Sequence, residues 1–431
     1  VFIVRVRNQE AHALAAHEGG MQGSLTEGRR SRLTGFDPLL YDRSTMTVRV
    51  PHNLKTTPFH ARTAPLIQGQ TWRRWSGHAV ASAYDWTHDH EYAAVRNAAA
   101  LFDVSPLYKY LITGRNAARL LDRMVTRNVQ KTQVGQVQYT TWCDAHGKVI
   151  DDGTISRLGE DVFRLTSAEP NFRWLHRNAF GLEVGIEEIS DNLGALALQG
   201  PLSRTVLNEV ADRPVDALRY FRVMDNRIAG VGIQVSRTGY TGDLGYELWI
   251  PAEHAVEVWD SLIAAGRNYG LAPAGIWALD VARIEAGLVM LDVDYHSSHR
   301  AMIEPQKSSP FELSLDWTVS FEKGPYNGRK ALAAEKERGP LWRFVGIEID
   351  WDSFESLYVA HDLAPALPSV PWRASIPLYR EGKQVGYASS GCWSPLLKKY
   401  LALAHLQTPH FAPDTALQIE VTVEHQRRLA N

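Results

Sequence analysis

One short segment of this chain, RTGYTGDLGYE at 237–247, concentrates residue types that could bind a flat polar ligand. Residues that alternate between apolar and polar precede this segment, and the apolar stretch Leu248–Ile250 follows it. This pattern predicts two strands joined by a Gly/Thr/Asp turn. Glu247 would lie on a half-buried strand, where a carboxylate needs a hydrogen-bond donor. A heterocycle with an amino group and a ring N–H would supply one. The alternative is an ordinary hairpin in which Tyr240 and Tyr246 only pack.

A second candidate for chemistry is the pair Asp151-Asp152, which follows a glycine turn and two apolar residues. Adjacent residues of a strand face opposite ways, so these two carboxylates are not expected to form one acid/base dyad. A single carboxylate could still stabilise a developing cation or take up a proton. The alternative is that both residues merely flank a turn.

Six blocks of the sequence resemble, in order, signature segments of the aminomethyltransferase family, which comprises the glycine cleavage T-protein and its folate-dependent relatives. The blocks are LFDVS at 101–105, GKVIDD at 147–152, ALALQGP at 195–201, RTGYTGDLGYEL at 237–248, ARIEAGL at 282–288 and SSGCWSPLLKK at 389–399. Because all six keep the family order from about Thr57 onward, the chain is identified as a member of this family.

The resemblance implies that tetrahydrofolate is the cofactor and that matched residues contact it. Asp152 matches the second aspartate of its block, which in the family lies beside the reacting folate nitrogens, and is the predicted catalytic residue. Glu247 matches the carboxylate that pairs with the pterin amino group and ring N–H, for which a bidentate acceptor is suited. Tyr240 matches the tyrosine of GYTG and would pack against folate or hydrogen-bond to it.

Arg283 is the fourth predicted site residue, because it matches the second arginine of the family's helix block. Its alternative role is a structural ion pair with Glu285 or Asp280. No metal site is predicted, since the histidines lack zinc-type spacing and the two cysteines are far apart in sequence.

Several positions depart from the family pattern. Leu279 stands where the family has its first helix arginine, a folate contact, while Ala168 replaces an asparagine and Pro106 a histidine. The segment 295–315 is longer and more polar than the matching T-protein segment, and we expect it to line the channel. These departures favour a free small molecule as the one-carbon donor.

The resemblance therefore implies an enzyme, a tetrahydrofolate-dependent transferase that moves a methyl or aminomethyl-derived carbon from a small donor to folate, as a demethylase does. The first alternative is a glycine cleavage T-protein that acts on a lipoyl carrier protein. The second is a non-catalytic folate-binding protein, but its branch carries a KGCYxGQE motif, and here KGPYNGRK at 323–330 has Pro325 in place of the cysteine. The third is a relative that no longer binds folate.

The order of predicted strands and helices indicates an α+β fold. The resemblance implies a ring of three domains, namely two α+β domains with antiparallel sheets plus a C-terminal β-barrel. We expect an N-terminal extension over residues 1–45 that is poorly ordered, a folate-binding region of two interleaved α+β domains over 46–335, and the barrel over 336–431. The Pro-rich stretch 350–373 is predicted to be a loop within the barrel.

The composition limits the classes of partner that we expect. With a net charge of −2 over 431 residues, the chain gives no reason to expect nucleic acid. No apolar run approaches the length of a membrane span, so no membrane is expected. Only Cys143 and Cys392 occur, which excludes a disulfide framework and suits a reducing cytoplasm.

Overall fold

The computed structural model of this chain describes residues 5–7 and 54–431, in which helices pack against mainly antiparallel sheets. The predicted fold class is confirmed: mixed α+β layers with antiparallel sheets are followed by a C-terminal β module. Of the predicted N-terminal extension, only the strand Arg5–Arg7 is described, and it pairs with the strand Trp342–Ile349. The rest of that prediction lies outside the described residues.

Two sheets are interleaved along the chain. The six-stranded sheet has the order Val223–Ile228, Val231–Ser236, Gly245–Pro251, Leu193–Gln199, Ala99–Asp103, Leu271–Pro273. The five-stranded sheet has the order Val137–Cys143, Val149–Gly159, Val162–Ser167, Tyr108–Thr113, Gly185–Glu188. The chain leaves the first sheet after Asp103, builds the second, and returns at Leu193. The two predicted carboxylate sites therefore lie on strands of different sheets.

The C-terminal sheet has the order Arg5–Arg7, Trp342–Ile349, Lys399–Gln407, Lys383–Ser394, Ile376–Arg380, Gln418–Val423, Gln426–Ala430. A separate hairpin joins Trp72–Trp75 to His78–Ala81. The predicted boundary at 335/336 falls inside the helix Arg329–Arg338. We propose instead that the C-terminal module begins after that helix.

The α-helices cover the sheets with their apolar faces. Their bounds are His60–Thr63, Asp89–Asn97, Ala117–Met124, Phe172–Asn178, Ser203–Val210, Ala255–Gly266, Ile276–Glu285, Arg329–Arg338 and Trp351–Val359. Short 3-10 turns lie at Ala64–Leu66, Ala252–His254, Arg267–Tyr269, Glu304–Gln306 and Asp316–Thr318. In Ala117–Met124 the buried residues recur at 117, 120, 121 and 124, the spacing of one helical face. None of the described helices is long and apolar enough to cross a membrane.

The prediction of a loop over 350–373 is wrong in its first half, because Trp351–Val359 is a helix. The Asp350 side chain caps it by accepting a hydrogen bond from the backbone N–H of Ser353 at 2.8 Å. Phe354 and Tyr358, four residues apart, are buried against the C-terminal sheet. Tertiary packing therefore outweighs the proline-rich composition that follows the helix.

Candidate functional site

A cavity of about 390 Å³ lies where the two interleaved sheets, the hairpin at 72–81 and the C-terminal module meet. Three of the predicted site residues, Asp152, Tyr240 and Glu247, line it. Its size lies within the range of small-molecule sites, and its walls combine aromatic rings with a few polar groups. The structure therefore brings together residues that lie up to 95 positions apart in sequence, 152 to 247.

Asp152 lies between two phenol groups. The hydroxyl of Tyr139 donates to Oδ2 of Asp152 at 2.7 Å, and the hydroxyl of Tyr295 donates to Oδ1. Burial raises the pKa of Asp152, and the two phenol hydrogen bonds oppose that rise because they favour the ionised form. The site thus holds a desolvated carboxylate whose charge depends on two donors.

Asp151 points away from the cavity, as the strand alternation predicts. Its side chain is fully buried and accepts hydrogen bonds from Asn171 Nδ2 at 2.8 Å and from the backbone N–H of Glu169 at 3.0 Å. Burial and the neighbouring Asp152 charge raise the pKa of Asp151 well above its usual range. Asp151 therefore orders the loop at 169–171 and is no partner in an acid/base dyad.

Glu247 ends a directed chain of hydrogen bonds. The indole N–H of Trp249 can only donate, and it donates to Ser236 Oγ at 3.2 Å. Ser236 Oγ lies 2.8 Å from Thr238 Oγ1, which donates to Oε2 of Glu247. Oε1 of Glu247 has no hydrogen-bond partner among the described residues. The chain thus stabilises an ionised carboxylate with one oxygen left for a ligand.

The buried cation Arg164 packs against the strand that carries Glu247. The Arg164 guanidinium lies over the Trp249 ring, 4.0 Å from its centroid, and donates to Gln234 Oε1 at 2.6 Å. Its Nε and Nη2 have no hydrogen-bond partner in residues 5–7 and 54–431. Burial lowers the pKa of Arg164 to about 9 while the Glu247 charge opposes that shift. Burial likewise raises the pKa of Glu247, against the Thr238 hydrogen bond and the Arg164 charge.

The glycine-rich turn is shaped by Gln199, a cavity residue that sequence reasoning missed. A Cβ atom at Gly239 or Gly245 would lie 2.0 or 2.2 Å from Oε1 of Gln199, so a side chain at either position would have to displace this buried amide. Thr241 Oγ1 donates to that same oxygen at 3.0 Å. The matching ALALQGP block was the available signal, since it contains Gln199.

The hairpin that carries these residues is confirmed. Strand Val231–Ser236 pairs antiparallel with Gly245–Pro251, and Ser236 lies opposite Glu247. Tyr240, in the connecting loop, donates its hydroxyl to the carbonyl oxygen of Val289. Since that hydroxyl already has a partner, the ring face of Tyr240 is the part available to a ligand.

Arg283, the remaining predicted contact, is not among the residues that line the cavity. Its side chain is fully buried, and its guanidinium donates to Asp280 Oδ1 at 3.2 Å and to Asp294. The position of Arg283 therefore agrees with its alternative role, a structural ion pair with Asp280. Its role as a folate contact stays a prediction without a supporting contact.

Of the three positions that depart from the family pattern, two line the cavity and one does not. Leu279 and Ala168 line the cavity, whereas Pro106 is buried beside it. The expectation that segment 295–315 lines the channel is wrong, because that segment packs toward the C-terminal module, where the Ser314 hydroxyl donates to the carbonyl oxygen of Phe344 at 2.6 Å. Only Tyr295, at its start, reaches the site through Asp152.

Two parts of the chain match family models. Residues 59–323 match the GCVT N-terminal domain, and residues 362–430 match the glycine cleavage T-protein C-terminal barrel domain. The chain is 33% identical over 341 residues to the aminomethyltransferase of Caldanaerobacter subterraneus subsp. tengcongensis, covering 78% of this chain and 84% of that one. It is 34% identical over 335 residues to the aminomethyltransferase of Halothermothrix orenii, covering 77% and 86%.

Among solved structures, the chain is similar to the crystal structure of glycine cleavage system aminomethyltransferase T from Bartonella henselae. The TM-score is 0.74 at 23% sequence identity, and the match covers 88% of this chain and 96% of that one. This likeness concerns the fold.

Proposed function

This chain belongs to the glycine cleavage T-protein family of aminomethyltransferases, and on that premise we propose that it transfers a methyl or aminomethyl-derived carbon from a small-molecule donor to tetrahydrofolate. The family is enzymatic and folate-dependent. The observation that carries the proposal is the cavity that Asp152 and Glu247 both line.

The residues present fit a reduced pterin. Glu247 offers an acceptor oxygen to the amino group and ring N–H of the pterin. The Trp249–Ser236–Thr238 chain favours the ionised carboxylate, against the burial that raises its pKa. Trp249 and Tyr240 supply flat apolar surface for the ring. When bound, tetrahydrofolate would supply the nitrogen that receives the carbon.

Asp152 is the proposed catalytic residue. Its carboxylate faces the same cavity, so it can stabilise positive charge on the transferring group or take up a proton at one of its oxygens. Tyr139 and Tyr295 fix both oxygens of Asp152, which pre-organises the carboxylate before a ligand arrives. Burial supports such a role, since a desolvated charge acts more strongly than one in water.

The proposed one-carbon donor follows from the substitutions that line the cavity. Leu279 and Ala168 replace polar family residues at positions that line the cavity, which alters the surface that a donor would meet. A free methylated small molecule suits that change, and a lipoyl carrier protein is the rival donor because the relatives are named aminomethyltransferases. We propose the cytoplasm as the compartment, since both buried cysteines are free thiols.

Product analysis decides between the donors. The enzyme is incubated with tetrahydrofolate and either an aminomethyl-loaded lipoyl carrier protein or a panel of small O-, S- and N-methyl compounds. The proposal predicts 5-methyltetrahydrofolate from a small compound. Ammonia and methylenetetrahydrofolate from the loaded carrier, at about one turnover per second or faster, would instead assign the T-protein reaction.

A further inference from the structure

Two arginines from distant parts of the chain converge beside Leu279 on the cavity wall. Arg73 comes from the strand Trp72–Trp75, and Arg373 precedes the C-terminal strand Ile376–Arg380. Both line the cavity, as Leu279 does. They share one carboxylate oxygen, Oδ2 of Asp280, which accepts from Arg373 Nε at 2.9 Å and lies 2.8 Å from Arg373 Nη2 and 3.8 Å from Arg73 Nη1.

The charges in this cluster do not balance. Asp280 also accepts from Arg283, and Arg283 donates in addition to Asp294. Three guanidinium groups therefore face two carboxylates, which leaves one positive charge without an ionic partner inside the cluster. Both carboxylates and Arg283 are fully buried, so water screens the ion pairs between them poorly.

The excess positive charge lies on Arg73. Its Nη1 is buried and has no hydrogen-bond partner within the part of the chain that the structure describes, although the side chain is 32% exposed overall. Burial and the Arg373 charge both lower the pKa of Arg73, against the attraction of Asp280. A buried donor without an acceptor is costly. Because the rest of the Arg73 side chain borders the cavity, an anionic ligand there would balance its charge.

We propose that Arg73 and Arg373 form a carboxylate-binding subsite of this cavity. A planar guanidinium matches a carboxylate with two parallel N–H···O bonds, which makes arginine suited to that anion. Arg73 then supplies, from another element, a cation on the wall where Leu279 has none. The apolar side chains of Trp75 and Ile276 flank the same wall, so the ligand joins its carboxylate to an apolar body.

The identity of the ligand rests on the proposed function. The carboxylate belongs either to the glutamyl tail of tetrahydrofolate or to the small donor, and both have the same chemistry at the arginines. Two binding measurements separate these sources, each comparing a carboxylate with an uncharged or truncated counterpart. Each uses the wild-type chain, Arg73→Gln, Arg73→Lys and Arg119→Gln, an exposed arginine on the helix Ala117–Met124 that serves as the charge-matched control.

The first measurement compares the affinity of tetrahydrofolate with that of tetrahydropteroate, which lacks the glutamate. The second, at saturating tetrahydrofolate, compares benzoate with benzamide and N,N-dimethylglycine with its amide. In one of the two measurements the wild type should prefer the carboxylate by roughly tenfold or more. Arg73→Gln should abolish that preference, Arg73→Lys should keep part of it, and Arg119→Gln should leave it unchanged.

The measurement that shows the preference identifies the source of the carboxylate. A lack of carboxylate preference in both measurements overturns the subsite, as does an Arg73→Gln variant that weakens charged and uncharged ligands equally. Failure of the subsite is distinguishable from failure of the proposed function. In the first case tetrahydrofolate still binds and depends on Glu247, whereas in the second it does not bind at all.

Discussion

The hydroxyl of Tyr295 donates a hydrogen bond to Asp152, a residue 143 positions earlier in the chain. Tyr139 donates to the other oxygen of the same carboxylate at 2.7 Å. Since both phenols stabilise the charged form and burial destabilises it, the protonation of Asp152 depends on these two donors. This relationship links the proposed catalytic residue to a segment that follows the helix Ile276–Glu285.

Asp152→Asn should impair turnover far more than binding. The substitution keeps the shape of the side chain and removes its charge, so the rate of carbon transfer at saturating tetrahydrofolate should fall by about a hundredfold or more. Single-turnover kinetics would measure it, with Asp161→Asn, at an exposed position before the next strand, as the control. A mutant rate within about threefold of wild type would return Asp152 to a turn-flanking role.

Tyr295→Phe should change the pH dependence of turnover. The lost phenol hydrogen bond lowered the pKa of Asp152, so its removal raises that pKa further. If the ionised carboxylate is required, the acidic limb of the rate profile moves to higher pH, and activity falls more at low pH than at high pH. Tyr379→Phe is the matched control, because Tyr379 donates to Glu420 in the C-terminal sheet at 2.7 Å. An equal loss at every pH would contradict this role of Tyr295.

Arg164→Met should weaken folate binding in a pH-dependent manner. The Arg164 charge lowers the pKa of Glu247, so its removal raises that pKa further, and the ionised form is lost at a higher pH on acidification. Tetrahydrofolate affinity should therefore decline at a higher pH than in wild type, with the two converging at alkaline pH. Calorimetric titrations at several pH values measure this, and parallel curves offset by a constant factor would argue for a purely structural role.

Gly245→Ala should disturb the turn that carries Tyr240. The added Cβ would lie 2.2 Å from Gln199 Oε1, and such overpacking costs about 1–3 kcal/mol. Thermal unfolding should show a lower midpoint, and folate affinity should fall with it. Gly232→Ala on the same hairpin is the control, because no atom of the described residues lies within 4 Å of a Cβ there. If both variants have the same unfolding midpoint as wild type, the close approach to Gln199 is not required.

The sequence could predict the site residues that lie inside short motifs. Glu247 and Asp152 each lie on a strand within a motif that matches the family, and that match assigned both to the folate site; both line the cavity. Arg283 was different, because a helix in a crowded core can bury every face. All of Ile276 to Arg283 except Trp277 is buried, and the motif match could not reveal that Arg283 is enclosed by Asp280 and Asp294.

The partners of these residues could not be predicted, because they come from distant segments. Tyr295 reaches Asp152 across 143 residues, and Arg73 meets Arg373 across 300 positions of sequence, 73 to 373. No local periodicity encodes such contacts. The helix at 351–359 was missed for another reason: its apolar residues face the barrel over barely two turns, and the prolines after it dominate the composition.

The most direct test of the proposed site is the affinity of tetrahydrofolate for wild type and for Glu247→Gln, measured by calorimetry. The amide presents a donor where the pterin needs an acceptor, so affinity should fall by the value of a charged hydrogen bond, about 1.5–3 kcal/mol, or roughly tenfold to a hundredfold. Glu253→Gln, at an exposed position just after the same strand, should bind as wild type does. Unchanged affinity in Glu247→Gln would contradict a pterin site at Glu247.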